Sequence, residues 1–365
     1  MGLYANYPIA LAPGMGLNAF FAFTIVATYK YSWQQGLAAV FCSGVLFLLI
    51  SVFRIRQYVI ESIPQNLKLA VSAGVGLFLG IIALETPGVI AANPATLVTL
   101  GDLTKPAPIL ALLGFVLIAA LNYRGILGGT LLGILLVTLV GLPLGLTHYA
   151  GVVSAPPSLA PTFLQLDFSR GAELTFAIVV FSILFVDVFD NAGTLIGVTH
   201  RTGLTRDGKL ARMKQALISD SFAAIFGSLI GTSTTTSYIE TAAGVAAGGR
   251  TGLTAVVVAI CFLLALFFAP LAGMIPAYAS AAALLYVACL MARGLAEIDW
   301  DDITESAPAV IGAVTMPLTY SIATGIGLGF ITYVLAKLFA GRFSQLSPAV
   351  IVLALLFAVK FAVSG

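Results

Sequence analysis

The sequence predicts an all-α polytopic membrane protein, and three observations carry that reading. Of 365 residues, 60% are hydrophobic and 9% are charged. A soluble domain carries about 25% charged residues, and this chain lacks that shell. Uncharged runs recur: 1–29, 31–53, 107–123, 125–166, 251–292 and 306–336 contain no Asp, Glu, Lys or Arg. A helical span needs about 20 apolar residues, so 125–166 and 251–292 each hold two. Finally, a transmembrane β-barrel would show alternating segments of about 10 residues, and none is present.

Apolar length and turn residues place spans at 14–29, 36–53, 67–84, 107–122, 126–146, 172–191, 213–230, 236–248, 252–271, 276–293, 305–320, 322–338 and 347–363. Residues 1–10 read as the tail of a further span. Pro87 to Pro108 is a long loop carrying Asp102 and Lys105. The region 147–171 is polar and holds Pro156, Pro157 and Pro161, so it reads as an external loop joining two halves. Residues 295–305 (LAEIDWDDITE) form an acidic aqueous connection. Trp33 and Trp300 fit interfacial anchors.

The net charge of +2 says little, but its placement is informative. Residues 201–214 (RTGLTRDGKLARMK) set Arg201, Arg206, Lys209, Arg212 and Lys214 against Asp207. By the positive-inside rule this loop is cytoplasmic. It lacks the aromatic interleaving of a nucleic-acid surface. Cys42, Cys261 and Cys289 lie in apolar runs without metal or disulfide spacing. His148 and His200 have no ligand-spaced partner, so no metal is expected. No GxxxxGK[ST] motif exists, which argues against an ATP-driven pump. Met1 leads into an uncharged segment with no basic n-region, so no cleavable signal peptide is read.

The candidate site comes from polar residues inside the apolar spans. In 231–250 (GTSTTTSYIETAAGVAAGGR), Glu240 follows a run of hydroxyls and precedes Gly244, Gly248 and Gly249. A lone charge at the membrane centre costs roughly 2.5–3.5 kcal/mol or more and marks function by default. Glycines and hydroxyls suit a broken helix, tolerated at that depth beside protein or a water-lined cavity. Arg250 lies ten residues on, about 15 Å along a helix, too far for a direct ion pair with Glu240. In the first half, APGMGLNAFFAF (12–23) supplies a matching Gly-rich break before Asn18. In each half the break is followed by one span, then by an Ile-Pro pair, Ile63-Pro64 and Ile275-Pro276, opening a span rich in small residues. Breaks at corresponding positions of two halves point to a transporter binding site. The run 181–197 (FSILFVDVFDNAGTLIG) adds Asp187 and Asp190, three residues apart on one helix face, with Asn191 and Thr194 beside them. The hydroxyls Ser233 to Ser237 pack between helices in the plainer reading, with one or two, Ser237 among them, touching substrate.

APGMGLNAFFAF, FVDVFDNAGTLIG and TSTTTSYIETAAGVAAGGRTGLTAVVV resemble the AzgA-like purine permeases, within the nucleobase–cation symporters. The likeness also covers NPATLVTLGDLT (93–104) and GLAEIDWDD (294–302). The resemblance implies fourteen spans in two inverted repeats of seven, with a substrate-carrying core domain and a gate domain. It implies purine uptake (adenine, guanine, hypoxanthine) driven by protons, without a cofactor, in the cell membrane, with a homodimer possible by analogy. It maps substrate contact onto Asn18, Asp190 and Glu240. Against the family pattern this chain lacks the first span and most of the second. The expected division is 1–150 for the rest of the first repeat, 151–171 for the external loop, 172–340 for the second repeat and 341–365 for a C-terminal apolar segment.

A carboxylate pairs with two adjacent N–H donors on a planar base, and a buried one with a raised pKa can carry a coupling proton. The expected roles are base binding for Glu240, and binding plus proton sensing for Asp190. Competing readings are a uracil, xanthine or anion transporter on the same fold, an inactive fragment, an intramembrane aspartyl protease and a purine receptor. An anion carrier would want cationic or helix-N-terminal groups, whereas the buried charges here are acidic. A protease dyad needs two facing carboxylates, whereas Asp187 and Asp190 share one segment.

Overall fold

Apolar runs without water to bond their backbone must satisfy it internally, and helices do so within one segment. The computed structural model follows this rule over most of its length. It describes residues 1–53, 58, 62–199, 205, 206, 209, 210, 212–238, 241–246 and 248–364. At 15, 189, 190, 192, 193, 196–199, 205, 206, 209, 210, 242, 243, 246, 363 and 364 only the backbone is described.

The elements run in this order. Strand β1 (Leu11–Pro13) leads into α1 (Met15–Ala19), which continues as a π-helical stretch Phe20–Thr28. Then come α2 (Trp33–Val52), α3 (Gln65–Glu85), the hairpin β2 (Ile90–Asn93) and β3 (Leu97–Leu100), α4 (Pro106–Tyr123) and α5 (Gly129–Gly141). The long α6 (Leu174–Thr199) precedes the short β4 (Thr205–Arg206) and β5 (Lys209–Leu210) and α7 (Met213–Ile230). Strand β6 (Thr235–Ser237) leads to α8 (Thr241–Ala246). The chain closes with α9 (Gly252–Ala265), α10 (Ala269–Gly273), α11 (Ala277–Ala292), α12 (Ile303–Leu318), α13 (Ile322–Phe339) and α14 (Pro348–Ser364). Among the described residues, six helical segments are long and apolar enough to cross a membrane.

The expected spans match these helices within a few residues, with instructive departures. The 14–29 and 236–248 spans are not plain helices: the first follows strand β1 and turns π-helical over Phe20–Thr28, and the second opens within strand β6. The 172–191 span runs on to Thr199, since 192–199 holds neither proline nor charge to stop it. The Pro87–Pro108 loop contains a hairpin with register Ile90↔Leu100 and Asn93↔Leu97. Its turn is fixed by Asn93 Oδ1, which accepts from Ala95 N at 2.8 Å.

Two compact units are distinguishable. One comprises Val75–Pro157 and Leu263–Arg293. Its core packs Leu110, Ala111, Val137, Tyr278 and Ala279, and Gly114 lets α4 approach Val137 and Ala282 closely. The other comprises Met1–Gly74, Ser158–Phe262 and Gly294–Gly365. There Tyr7, Ile9, Phe47, Val188, Leu195, Met213, Leu217 and Val245 form one buried cluster joining the start of the chain to α2, α6, α7 and α8. Helices α12 and α13 meet through Gly312, Gly325 and Gly329; a Cβ at Gly325 would come within 2.6 Å of the Gly312 carbonyl oxygen. Small residues allow such close approach between membrane helices.

The ends of that pair are locked by charge. Lys337 is fully buried. Its Nζ lies 2.7 Å from Glu305 Oε1 and donates to Gln345 Oε1 at 2.7 Å. Glu305 Oε2 also accepts from Asn66 Nδ2 at 2.9 Å, tying the start of α3 to α12. Removing one partner of a buried pair costs about 3–5 kcal/mol. Glu305→Gln is therefore expected to lower the unfolding free energy by about 3 kcal/mol; an unchanged denaturation midpoint in detergent would refute the lock.

Asp302 caps α12 from the aqueous side. The Thr304 hydroxyl at 2.7 Å and Thr304 N–H at 2.9 Å both donate to its Oδ1, and Arg342 pairs with Oδ2. The Thr304 hydroxyl foremost, helped by the Thr304 N–H, Arg342 and Lys337, holds its carboxyl down at about 2. A depressed folded pKa gives stability that is complete above the ordinary carboxylate range near pH 4 and fades as pH falls through about 2. Asp302→Asn should flatten the loss of thermal stability over that window, read by melting curves at stepped pH. Coincident acid limbs for parent and variant would contradict the assignment.

Candidate substrate site between two broken spans

The two sequence breaks meet. β1 pairs antiparallel with β6 in the register Leu11↔Ser237, Ala12↔Thr236 and Pro13↔Thr235. Local chemistry explains both extended segments. Pro13 brings no N–H, Gly14 is extended at φ −68° and ψ 131°, and β-branched Thr234, Thr235 and Thr236 favour strand. Pairing the breaks satisfies backbone groups that a helix would otherwise satisfy. Helix resumes after each, α1 beyond Gly14 and α8 at Thr241. The wide turns of Phe20–Thr28 follow directly; π-helical turns are frequent at functional sites.

Asp220 on α7 anchors this crossing. It is fully buried. Its Oδ1 accepts from Ser237 N–H at 3.2 Å and from the Thr236 hydroxyl at 3.3 Å. Asp220 is not among the residues expected at the site, although the sequence carries a signal for it. It is an acid inside the expected 213–230 span, the same feature that singled out Glu240.

Helix α6 packs against β6, α8 and α1. On one of its faces, at spacings of four and three residues, lie Asp187, Asn191 and Thr194, all buried. Ser237 across the strand is buried too. Asp187 is therefore enclosed by protein and not solvated. Asn191 Oδ1, Asn191 Nδ2 and Ser237 Oγ find no hydrogen-bond partner among the described residues. Tyr31, Ser43, Ser51 and Ser182 also bury an unpartnered oxygen, but Asn191 and Ser237 lie on elements that pack together beside the paired breaks. Each such group costs about 1–3 kcal/mol, and this pair reads as hydrogen-bonding capacity open to a polar ligand.

Asn18 belongs to a second group. It is exposed, and its Oδ1 accepts from the Ser233 hydroxyl. With Phe21, Trp33, Leu37, Thr162 and Ser233 it lines an open cavity of about 450 Å3. The Thr162 hydroxyl donates to the Ile230 carbonyl at 2.9 Å, fixing the loop at the rim. The predicted set thus separates: Asn18 faces the cavity, whereas Asp187, Thr194 and Ser237 are enclosed on α6 and β6. Asp190 lies in α6, but its side chain is outside the described residues, as is all of Glu240. Arg250 donates to the carbonyls of Val245 at 2.5 Å and Gly249 at 2.9 Å, closing the end of α8. Among the described residues no cluster of His, Cys, Asp or Glu could hold a metal ion.

Paired breaks flanked by buried polar helix faces, in a chain of many apolar helices, define the class of multi-pass membrane transporters. Residues 1–328 match Xan_ur_permease, the Permease family, and the chain belongs to that family. It is similar to the adenine permease AdeP of Escherichia coli (strain K12), with 51% identity over 361 residues, 99% of this chain and 81% of AdeP. It is 43% identical over 364 residues to the guanine/hypoxanthine permease PbuG of Bacillus subtilis (strain 168), covering 99% of this chain and 83% of PbuG. The fold is shared with the transmembrane domain of the cyanobacterium bicarbonate transporter BicA, at TM-score 0.68 and 17% identity over 88% of this chain and 85% of that one. This is a multi-pass protein of the cell membrane.

The anchoring role of Asp220 has a direct check. Asp220→Ala leaves the Ser237 N–H and Thr236 hydroxyl without an acceptor and is expected to cost about 1–3 kcal/mol per donor. Asp220→Asn keeps an acceptor oxygen and should cost less. Chemical denaturation in detergent ranks them, and equal losses would reject the anchor.

Proposed function

We propose that this chain is a secondary active transporter that imports the purine nucleobases adenine, guanine and hypoxanthine by proton symport. The observation that carries the reading is the enclosed polar set on α6 and β6 beside two paired breaks, in a chain 51% identical to an adenine permease over 99% of its length. A purine presents a planar edge of alternating donors and acceptors. An amide such as Asn191 offers one of each, a serine hydroxyl offers either, and a carboxylate accepts from two adjacent N–H groups. Sites built to hydrogen-bond specific N–H groups reject analogues that lack them by large factors.

In this reading Glu240, between β6 and α8, chiefly binds the base. Asp190 on α6 binds it and senses protonation. Asp187, Thr194 and Ser237 complete the enclosed wall, and Asn18 contacts substrate from the cavity side. The transport step is an elevator or rocking movement of a core domain against a gate domain. A uracil, xanthine or anion carrier on the same fold is the reading it must exclude.

Radiolabelled hypoxanthine uptake in cells lacking their own purine permeases tests this. The parent should accumulate hypoxanthine, adenine and guanine should compete, and uracil and sulfate should not. Glu240→Gln should abolish uptake; full uptake by that variant would remove Glu240 from the site. Lowering external pH should raise uptake and a protonophore should collapse it, whereas indifference to both would reject proton coupling.

A further inference from the structure

We propose that the groove between the start of α6 and the end of α14 is a binding site for an anionic phospholipid, whose phosphate is held by Lys360. The groove has a volume of about 180 Å3. Leu174, Ala177 and Phe181 of α6 form one wall, and Leu356 and Val359 of α14 form the other. Leu174 and Val359 are each 61% exposed and Leu356 43%, so its rim is apolar and accessible. Lys360 closes the groove and is only 6% exposed. Among the described residues it faces aromatic rings and no carboxylate. Its Nζ lies 5.9 Å and 5.8 Å from the ring centroids of Phe357 and Phe361, contacts that offset part of the lost hydration. An ammonium group has three donors to satisfy, and the rings supply no oxygen acceptor.

Topology does not account for this charge. Leu174 opens a helix of 26 residues whose other end leads into the basic loop. Lys360 lies against the Leu174 end, away from that loop. The positive-inside rule asks for no cation there. An occupant must offer an apolar chain to the walls and an anion to the ammonium, at the depth where a spanning helix ends. A phospholipid with a net negative headgroup offers both and is present at that depth in the bilayer. A bound lipid would bridge α14 to α6, the helix that carries Asp187 and Asn191. This inference stands on different residues from the transport reading and does not depend on it.

The test is lipid retention by the full chain purified from nanodiscs of equal phosphatidylglycerol and phosphatidylcholine, read by native mass spectrometry. The parent should retain phosphatidylglycerol over phosphatidylcholine by about fivefold, the contribution expected of one lysine at an anionic surface. Lys360→Arg should keep the preference and Lys360→Gln should lose it. Ala177→Trp narrows the groove while keeping the lysine and should lose it too; it decides the matter alone should Lys360→Gln not fold. An undiminished preference in both Lys360→Gln and Ala177→Trp would overturn the site. Stabilisation of the lipid-free parent by inorganic phosphate as large as that by phosphatidylglycerol would overturn the lipid as its ligand.

Discussion

The pairing of β1 with β6 is the constraint on which the rest of the structure depends. A membrane span interrupted by a strand exposes backbone N–H and C=O groups that lipid cannot bond. One such break would be costly; two breaks placed antiparallel satisfy each other. That solution brings residues 11–13 against 235–237 and so dictates which helices enclose them. Asp220 completes the arrangement by accepting from the last strand N–H and the neighbouring hydroxyl. The strands are short because Gly14 and Thr241 allow helix to resume at once.

Around this crossing the protein keeps polar capacity where packing alone would favour apolar residues. The Asn191 amide and the Ser237 hydroxyl could be replaced by apolar groups of like shape at little loss of folding energy, since neither side chain makes a hydrogen bond among the described residues. At the ends of α12 and α13, by contrast, buried polarity is paired: Lys337 has Glu305 and Gln345, and Glu305 also holds Asn66. The paired charges read as a structural lock, and the unpartnered amide and hydroxyl on α6 and β6 are the groups that the transport proposal assigns to a ligand.

Much of this was legible in the sequence. Charge-free runs located the helices because hydrocarbon length and desolvation dominate in a bilayer. The Gly-rich and hydroxyl-rich motifs located both breaks, since those residues leave helix readily. Their pairing as strands was not legible, because three-residue strands carry no periodicity and their partners lie over 220 residues apart. That Asn18 lines an open cavity with Ser233 was not legible either, because a fourteen-residue segment cannot announce which of its faces meets which helix. The pairing of Lys337 with Glu305 and Gln345, and of Asp220 with Ser237 and Thr236, was not legible, because each joins segments distant in sequence or separated by a turn.

The measurement that tests the central claim most directly pairs stability with binding in Asn191→Leu. Leucine matches asparagine in shape and removes only the unused polar atoms. The account predicts unfolding free energy equal to or above the parent's, with affinity for hypoxanthine in purified protein reduced at least about tenfold. Parental affinity in a destabilised variant would contradict it, and would return Asn191 to a purely structural role.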